Sequence, residues 1–332
     1  MNPTPTSDHP RKPRLPRLLA AVLLAVSILP AHASAIASTS PPAVVSWTDP
    51  DCERVLVVAH RATIHLAPEN SFRAIELSIL YGADIVEVDL RRTSDGHYIL
   101  MHDTTVDRTT NGRGKVSELS LEEIGELRLL SPDGAATDQP VPTLEEALEL
   151  VRGRAMINLD KVTPEQMAEV VEIVAQMDML DHALFKSREQ PEQAAKRLSA
   201  LPPEVRYMPI ITASRIANED LIELIERYHE LTGATAVELI FNQSNADRMT
   251  HDLFSRINDI GVRVWINTLW DGRLSGGLGD DSVGVAEPER LWGQLIEAGV
   301  GAIQTDYPIH LRALLASQGF ARATRQAAES ED

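Results

Sequence analysis

Residues 54–90 read RVLVVAHRATIHLAPENSFRAIELSILYGADIVEVDL. Two apolar strand-like runs, 54–59 and 84–90, enclose a helix-like stretch. A strand, a helix and a second strand in that order make a parallel pair with the helix packed outside it. The alternation continues along the chain. Further strand candidates are 97–101, 155–160, 183–186, 206–211, 236–241, 262–267 and 301–305. Capping-box patterns mark helix starts at Ser120-x-x-Glu123, Thr143-x-x-Glu146, Thr163-x-x-Gln166 and Ser187-x-x-Gln190. The fold class expected is therefore α/β, a (β/α)8 TIM barrel over residues 54–320. An open doubly wound sheet is the alternative, and no Gly-x-Gly-x-x-Gly turn follows the first strand to support it. Nine candidates compete for eight places, so one is surplus. Residues 103–140, with the turn Asn111-Gly112-Arg113-Gly114 and one short capped helix, read as a short insertion after the third strand.

The ends read differently. Arg11, Lys12, Arg14 and Arg17 precede the apolar run Leu18–Leu29, and Ala31-His32-Ala33 and Ala33-Ser34-Ala35 offer cleavage sites. Residues 1–35 thus resemble a secretory signal peptide, too short in its apolar part to span a bilayer, which needs about 20 residues. The expectation is export, periplasmic or secreted, with no stable membrane insertion after cleavage. Residues 36–53 read as a flexible leader and 321–332 as a disordered tail.

Composition narrows the chemistry. The 332 residues are 43% hydrophobic and 24% charged, which excludes a mainly disordered chain and a polytopic membrane protein. A net charge of −18 argues against a nucleic-acid surface while leaving room for a local cationic pocket. Cys52 is the single cysteine, so neither an internal disulfide nor a Cys-rich zinc site can form.

In a parallel barrel the functional groups gather at the C-terminal strand ends. His60 and Arg61 end the first strand, and His102 and Asp103 end the third. Asn158 and Asp160 lie in the fourth, Lys186 ends the fifth, Glu238 lies in the seventh, and Asp306 follows the last. Glu87 and Asp89 are two apart on one strand, so they share a face. A hard divalent cation would relieve their repulsion, and so would neighbouring Arg or Lys. Two histidines at strand ends suit general acid and base work. His65 could also line the site, and Arg61 could grip a phosphate or pair with Glu69.

These residues sit in a familiar pattern. The stretch from Ala59 to Thr110 resembles the glycerophosphodiester phosphodiesterase family. It carries Ala59-His60-Arg61-Ala62, Pro68-Glu69-Asn70-Ser71, Glu87-Val88-Asp89, His102-Asp103 and Arg108-Thr109-Thr110. Later matches are Trp265-Ile266-Asn267-Thr268 and Gln304-Thr305-Asp306-Tyr307-Pro308, so the resemblance runs over 55–318. It implies a barrel that hydrolyses glycerophosphodiesters with a divalent metal, Ca²⁺ or Mg²⁺. It implies His60 and His102 as acid and base, Arg61 on the phosphate, and Glu87 and Asp89 on the metal, with Glu69 on it or beside it. Asp160, alone or with Asn158, would serve the metal in place of the Glu of the family's Glu-x-Lys in that strand, and Asn158 two positions earlier is the alternative register. Lys161, Lys186, Glu238, Trp265 and Asn267 are candidates for phosphate or substrate contact. The family's His-Arg-Gly is His60-Arg61-Ala62 here, which would strain the loop if that position needs a positive φ. The expected partner is a small phosphodiester. A lipid-acting phospholipase C or D relative, a non-catalytic phosphate-ester binding protein and a glycosidase are the rivals. The loop after Asn267, with Gly276, Gly277, Gly279 and Gly284, reads as a lid over the site or as an acidic surface loop.

Overall fold

The computed structural model describes Trp47, residues 54–270 and residues 278–318. The expected signal, most of the expected leader, the expected tail, Cys52 and the loop glycines Gly276 and Gly277 lie outside the described residues. The strands are β1 (Leu56–Ala59), β2 (Ile85–Arg92), β3 (Tyr98–Leu100), β4 (Met156–Asp160), β5 (Ala183–Ser187), β6 (Arg206–Ile211), β7 (Ala236–Leu239), β8 (Arg263–Asn267) and β9 (Ala302–Thr305). The helices are α1 (Phe72–Leu80), α2 (Leu121–Gly125), α3 (Leu144–Val151), α4 (Met167–Gln176), α5 (Pro191–Leu198), α6 (Asn218–Thr232), α7 (His251–Asp259), α8 (Asp281–Ala286), α9 (Gln294–Glu297) and α10 (Pro308–Ser317).

Eight strands are parallel, in the order β1-β9-β8-β7-β6-β5-β4-β2, and β1 pairs with β2 to close the barrel. The surplus strand is β3. It runs antiparallel to the end of β2, with Leu90 opposite Leu100. The segment after it builds a small core of its own from Ile99, Met101, Val106, Val116, Ile124 and Leu129.

Strand periodicity divides the side chains between two environments. Val57, Val86, Ile157, Phe185, Val237, Val264 and Ile303 pack outward into helix-lined cores. Leu56, Val58, Ile85, Met156, Leu184, Met208, Ala236, Trp265 and Ala302, drawn from all eight barrel strands, meet in one apolar interior cluster. Two residues further along the same faces come His60, Glu87, Asn158, Lys186, Glu238, Asn267 and Gln304, all buried. The barrel thus has an apolar floor and a polar mouth.

Trp47 is the one described residue of the expected leader. It is 4% exposed and packs edge-on against Trp265 in the floor cluster, ring centroids 6.3 Å apart. Burying so large an aromatic surface is strongly favourable.

Ser120 and Thr143 form complete capping boxes. Ser187 does not cap α5. It ends β5 and its hydroxyl meets that of Tyr207 at 2.9 Å, while Pro191 supplies the first residue of the helix. Thr163 also forms no full box: its N–H donates to Gln166 Oε1, and α4 begins at Met167.

Candidate active site

Four of the five non-glycine residues with positive φ surround the barrel mouth: Arg61 (45°), Ala62 (63°), Asn70 (57°) and Lys161 (61°). Such conformations persist only where the surroundings over-determine them. The loop after β1 shows how. Its Arg61 N–H donates to Glu87 Oε2 at 2.8 Å, its Ala62 N–H to the Glu87 carbonyl at 2.9 Å, and Asn70 N–H reaches the Arg61 carbonyl at 3.0 Å. The loop is tied to the inward face of β2.

Ala62 therefore does occupy a left-handed position, at a cost of about 1–2 kcal/mol for an L-residue. Its methyl is fully buried in the α1–α3 core. That burial contributes about 0.8 kcal/mol, and glycine would add about 0.4–1 kcal/mol of unfolded-chain entropy. The terms nearly cancel, which explains how alanine is tolerated there. Ala62→Gly is expected to change unfolding stability by less than about 1 kcal/mol by denaturant titration. A loss above about 2 kcal/mol would show that packing, and not backbone strain, governs the position.

Glu87, Asp89 and Asp160 bring carboxylate oxygens within 4.8 Å of one another. The register sets this, because Glu87 lies beside Asn158 and Asp89 beside Asp160 across the β2–β4 pair. Asn70 clamps Asp89 from both sides, accepting from its N–H at 3.1 Å and donating to Oδ2 at 2.9 Å. Lys186 Nζ donates to Glu238 Oε2 at 3.1 Å and lies 3.6 Å from Asp160. Asn267 donates to Glu238 Oε1 at 2.9 Å. Arg61 Nε stands 3.5 Å from Asp89.

Four carboxylates (Glu87, Asp89, Asp160, Glu238) thus face Lys186 and Arg61 in a largely buried space, with Lys161 beside Asp160. The imbalance shows in the titration. Burial, then the charge of Asp89, pushes the Glu87 carboxyl up to about 7. Burial acts the same way on Asp160, but Lys186 and Lys161 outweigh it and hold that group down at about 2. Lys186 stays charged, because Asp160, Glu238 and Glu87 overcome its desolvation. The Oδ1 of Asn158, on the same inward face, is buried without a hydrogen-bond partner. Three carboxylates and an orphaned amide oxygen form a donor set that suits a hard divalent cation.

Each histidine is oriented by a carboxylate. His60 Nδ1 lies 2.7 Å from Asp306 Oδ1, and His102 Nδ1 lies 2.7 Å from Asp103 Oδ1. Burial works against a charged His60 ring, yet Asp306 and Glu87 more than offset it and raise its pKa above 6.5. Arg91 pins the second pair from behind, donating to the carbonyls of His102 and Asp103. With Nδ1 engaged in both rings, Nε2 is the atom left to exchange a proton.

Not every candidate joins the centre. Glu69 lies outside the carboxylate group. It accepts two hydrogen bonds from Arg108 at 2.7 and 2.8 Å and longer ones from Arg61. Burial opposes its ionisation, but the two guanidiniums lower its pKa. Trp265 is fully buried in the floor and reaches the mouth only by donating from Nε1 to Asn267 at 2.8 Å. Lys161 follows β4, on the opposite parity to Asp160, and its N–H donates to Asp160 Oδ1. His65 stacks on Tyr307 at 4.3 Å, and Trp270 meets the His60 ring edge-on at 6.0 Å. Asn70, Arg91, Arg108 and the partner role of Asp306 were not singled out from sequence as working parts of the site. Pro68-Glu69-Asn70-Ser71, Arg108-Thr109-Thr110 and Gln304-Thr305-Asp306-Tyr307-Pro308 were the available signals for three of them.

Residues 60–310 match the model of the glycerophosphoryl diester phosphodiesterase family. A glycerophosphodiester phosphodiesterase of Caldanaerobacter subterraneus is 42% identical over 99 residues, 30% of this chain and 41% of that relative. Among solved structures, a glycerophosphoryl diester phosphodiesterase of Parabacteroides distasonis superposes with a TM-score of 0.65 at 23% identity, covering 83% of this chain and 91% of its own. A phosphodiesterase of Oleispira antarctica, solved with the product sn-glycerol-3-phosphate, gives 0.57 at 23% identity, covering 79% and 96%. At such identities these two likenesses show the barrel fold.

Proposed function

Because this chain belongs to the glycerophosphoryl diester phosphodiesterase family, we propose that it hydrolyses glycerophosphodiesters to a glycerol phosphate and an alcohol. The observation that carries this reading is the convergence of two carboxylate-backed histidines, Arg61 and the Glu87–Asp89–Asp160 group on one barrel mouth. The relative solved with sn-glycerol-3-phosphate has the same fold and supports that product class.

The geometry supports the following roles. Glu87, Asp89 and Asp160 would hold the cation, Ca²⁺ or Mg²⁺, with Asn158 Oδ1 as a neutral donor. Such an ion supplies positive charge that polarises a phosphoryl group. Arg61 and Lys186 add fixed positive charge beside it, and Arg61 is the group suited to grip a phosphate oxygen. One histidine takes the proton of the attacking oxygen at Nε2, and the other returns a proton to the departing alkoxide. Asp103 and Asp306 hold the rings in the tautomer this requires and stabilise each imidazolium as it forms.

The purified protein assayed against a panel of soluble glycerophosphodiesters, with and without a chelator, tests the proposal. Turnover of several diesters that stops on chelation supports it; binding without turnover in the presence of metal would overturn it. The strong negative charge of the chain suits small soluble substrates better than anionic membranes. A lipid-acting relative is the second reading, because Leu66 and Trp270 stand about half exposed on loops at the mouth. Activity on micelles with none on soluble diesters would select it.

Export belongs to the same proposal. It rests on the basic n-region, the Leu18–Leu29 run and the Ala-x-Ala sites. Among the described residues no helix is long and apolar enough to cross a membrane. N-terminal sequencing of the protein from its native host is expected to begin at Ser34 or Ile36. Intact Met1 on protein retained in the cytoplasm would contradict export.

A further inference from the structure

Behind the His60–Asp306 pair lies a second buried carboxylate that the mechanism above does not use. Asp281, the first residue of α8, is 3% exposed. It accepts from the Thr268 hydroxyl at 2.5 Å, the Thr305 hydroxyl at 2.8 Å and the backbone N–H of Asp306 at 2.6 Å. All three donors are neutral. An anion buried among neutral donors is costly, and a packed apolar side chain would serve stability better. What this anion does is join three separate pieces of chain: the exit of β8 (Thr268), the exit of β9 (Thr305 and Asp306) and α8. The helix is seated in turn by Trp292. A Cβ at Gly284 would fall 2.6 Å from the Trp292 ring, so only glycine lets α8 lie this close. The Trp292 indole N–H then reaches the Thr268 hydroxyl at 3.3 Å.

We propose that Asp281 is a positioning residue for His60, acting by fixing the backbone of Asp306 so that the Asp306 carboxylate meets His60 Nδ1. The proposal rests on the reading that His60 transfers a proton in phosphodiester hydrolysis. Asp306 lies at the exit of a strand, just before Pro308, where a shift of about 1 Å would break its hydrogen bond to the ring. Two of the three donors to Asp281 come from the dipeptide that carries this carboxylate.

The test is a double-mutant cycle. Asp281→Asn keeps the shape but replaces an acceptor oxygen with a donor. It is expected to lower kcat about tenfold or more, with KM and metal affinity changed less than about twofold. In a His60→Ala background the same substitution is expected to change kcat less than about twofold, because the ring it positions is gone. The rates are read on a glycerophosphodiester with an unactivated alcohol, because an acidic leaving group would bypass the ring if His60 is the acid. Should Asp281→Asn fail to fold, Thr268→Val removes one donor and leaves the carboxylate, with a loss of several-fold that also vanishes in His60→Ala. Losses that multiply in the His60→Ala background, or no loss in either variant, would overturn the positioning role. Wild-type turnover in His60→Ala alone would overturn the underlying reading of His60, and the positioning role with it.

Discussion

Replacing His60 or His102 with alanine is expected to lower kcat by about 10²- to 10⁴-fold, the range for a lost general acid or base. The two variants are expected to part company on leaving group. A diester with a strongly acidic alcohol needs no proton at departure, so it should rescue the variant lacking the acid and leave the other slow. Both rings are held at Nδ1 by a carboxylate, at 2.7 Å in each case, so both are built to present Nε2. Their surroundings differ. His60 is 6% exposed and sits among Asp306, Glu87 and Arg61, whereas the His102 side chain is 28% exposed and its partner Asp103 also binds Arg108. Near-wild-type kcat in either variant would reduce that histidine to a structural role.

Asp89→Asn is the second large effect. Asp89 is clamped by Asn70 and lies within the three-carboxylate group, so losing one charged oxygen should weaken the cation site directly. The activity loss is expected to exceed the roughly 10- to 100-fold typical of partners outside a metal's own ligand set. The metal-free fold should survive, because the repulsion among crowded carboxylates is relieved when one loses its charge. Calorimetric metal titration and thermal melting of the metal-free protein measure the two sides. Protons compete at the same place. With Glu87 pushed up to about 7, the metal-free site carries a proton below that pH, and each ion bound must displace it. Apparent metal affinity is therefore expected to fall up to about tenfold per pH unit below 7 and to level off above it. Full activity of the wild-type protein after exhaustive chelation would sink the metal-assisted mechanism.

Local period and composition determined a great deal here. The apolar runs placed the strands to within about two residues, since a strand buried on both faces is apolar throughout. The two-residue period put Glu87 with Asp89 and Asn158 with Asp160 on the inward face before any register was known. Residue types at strand ends then singled out His60, Arg61, His102 and Lys186. Tertiary structure decided the rest. A three-residue apolar run carries no sign of its direction, so β3 was revealed as an antiparallel partner of β2 only by its pairing. Trp47 became part of the floor only once eight strands had enclosed a space for it. Ring closure brought Asp306 to His60 across 246 residues, and the start of α8 supplied Asp281 to the backbone of Asp306. The partners of Glu69 are Arg108 and Arg61, and the first of these comes from the segment after β3, whose fold no local pattern announces. Faces and element types follow from the neighbours a residue has along the chain, whereas partners follow from loop closure, whose outcome no local pattern encodes.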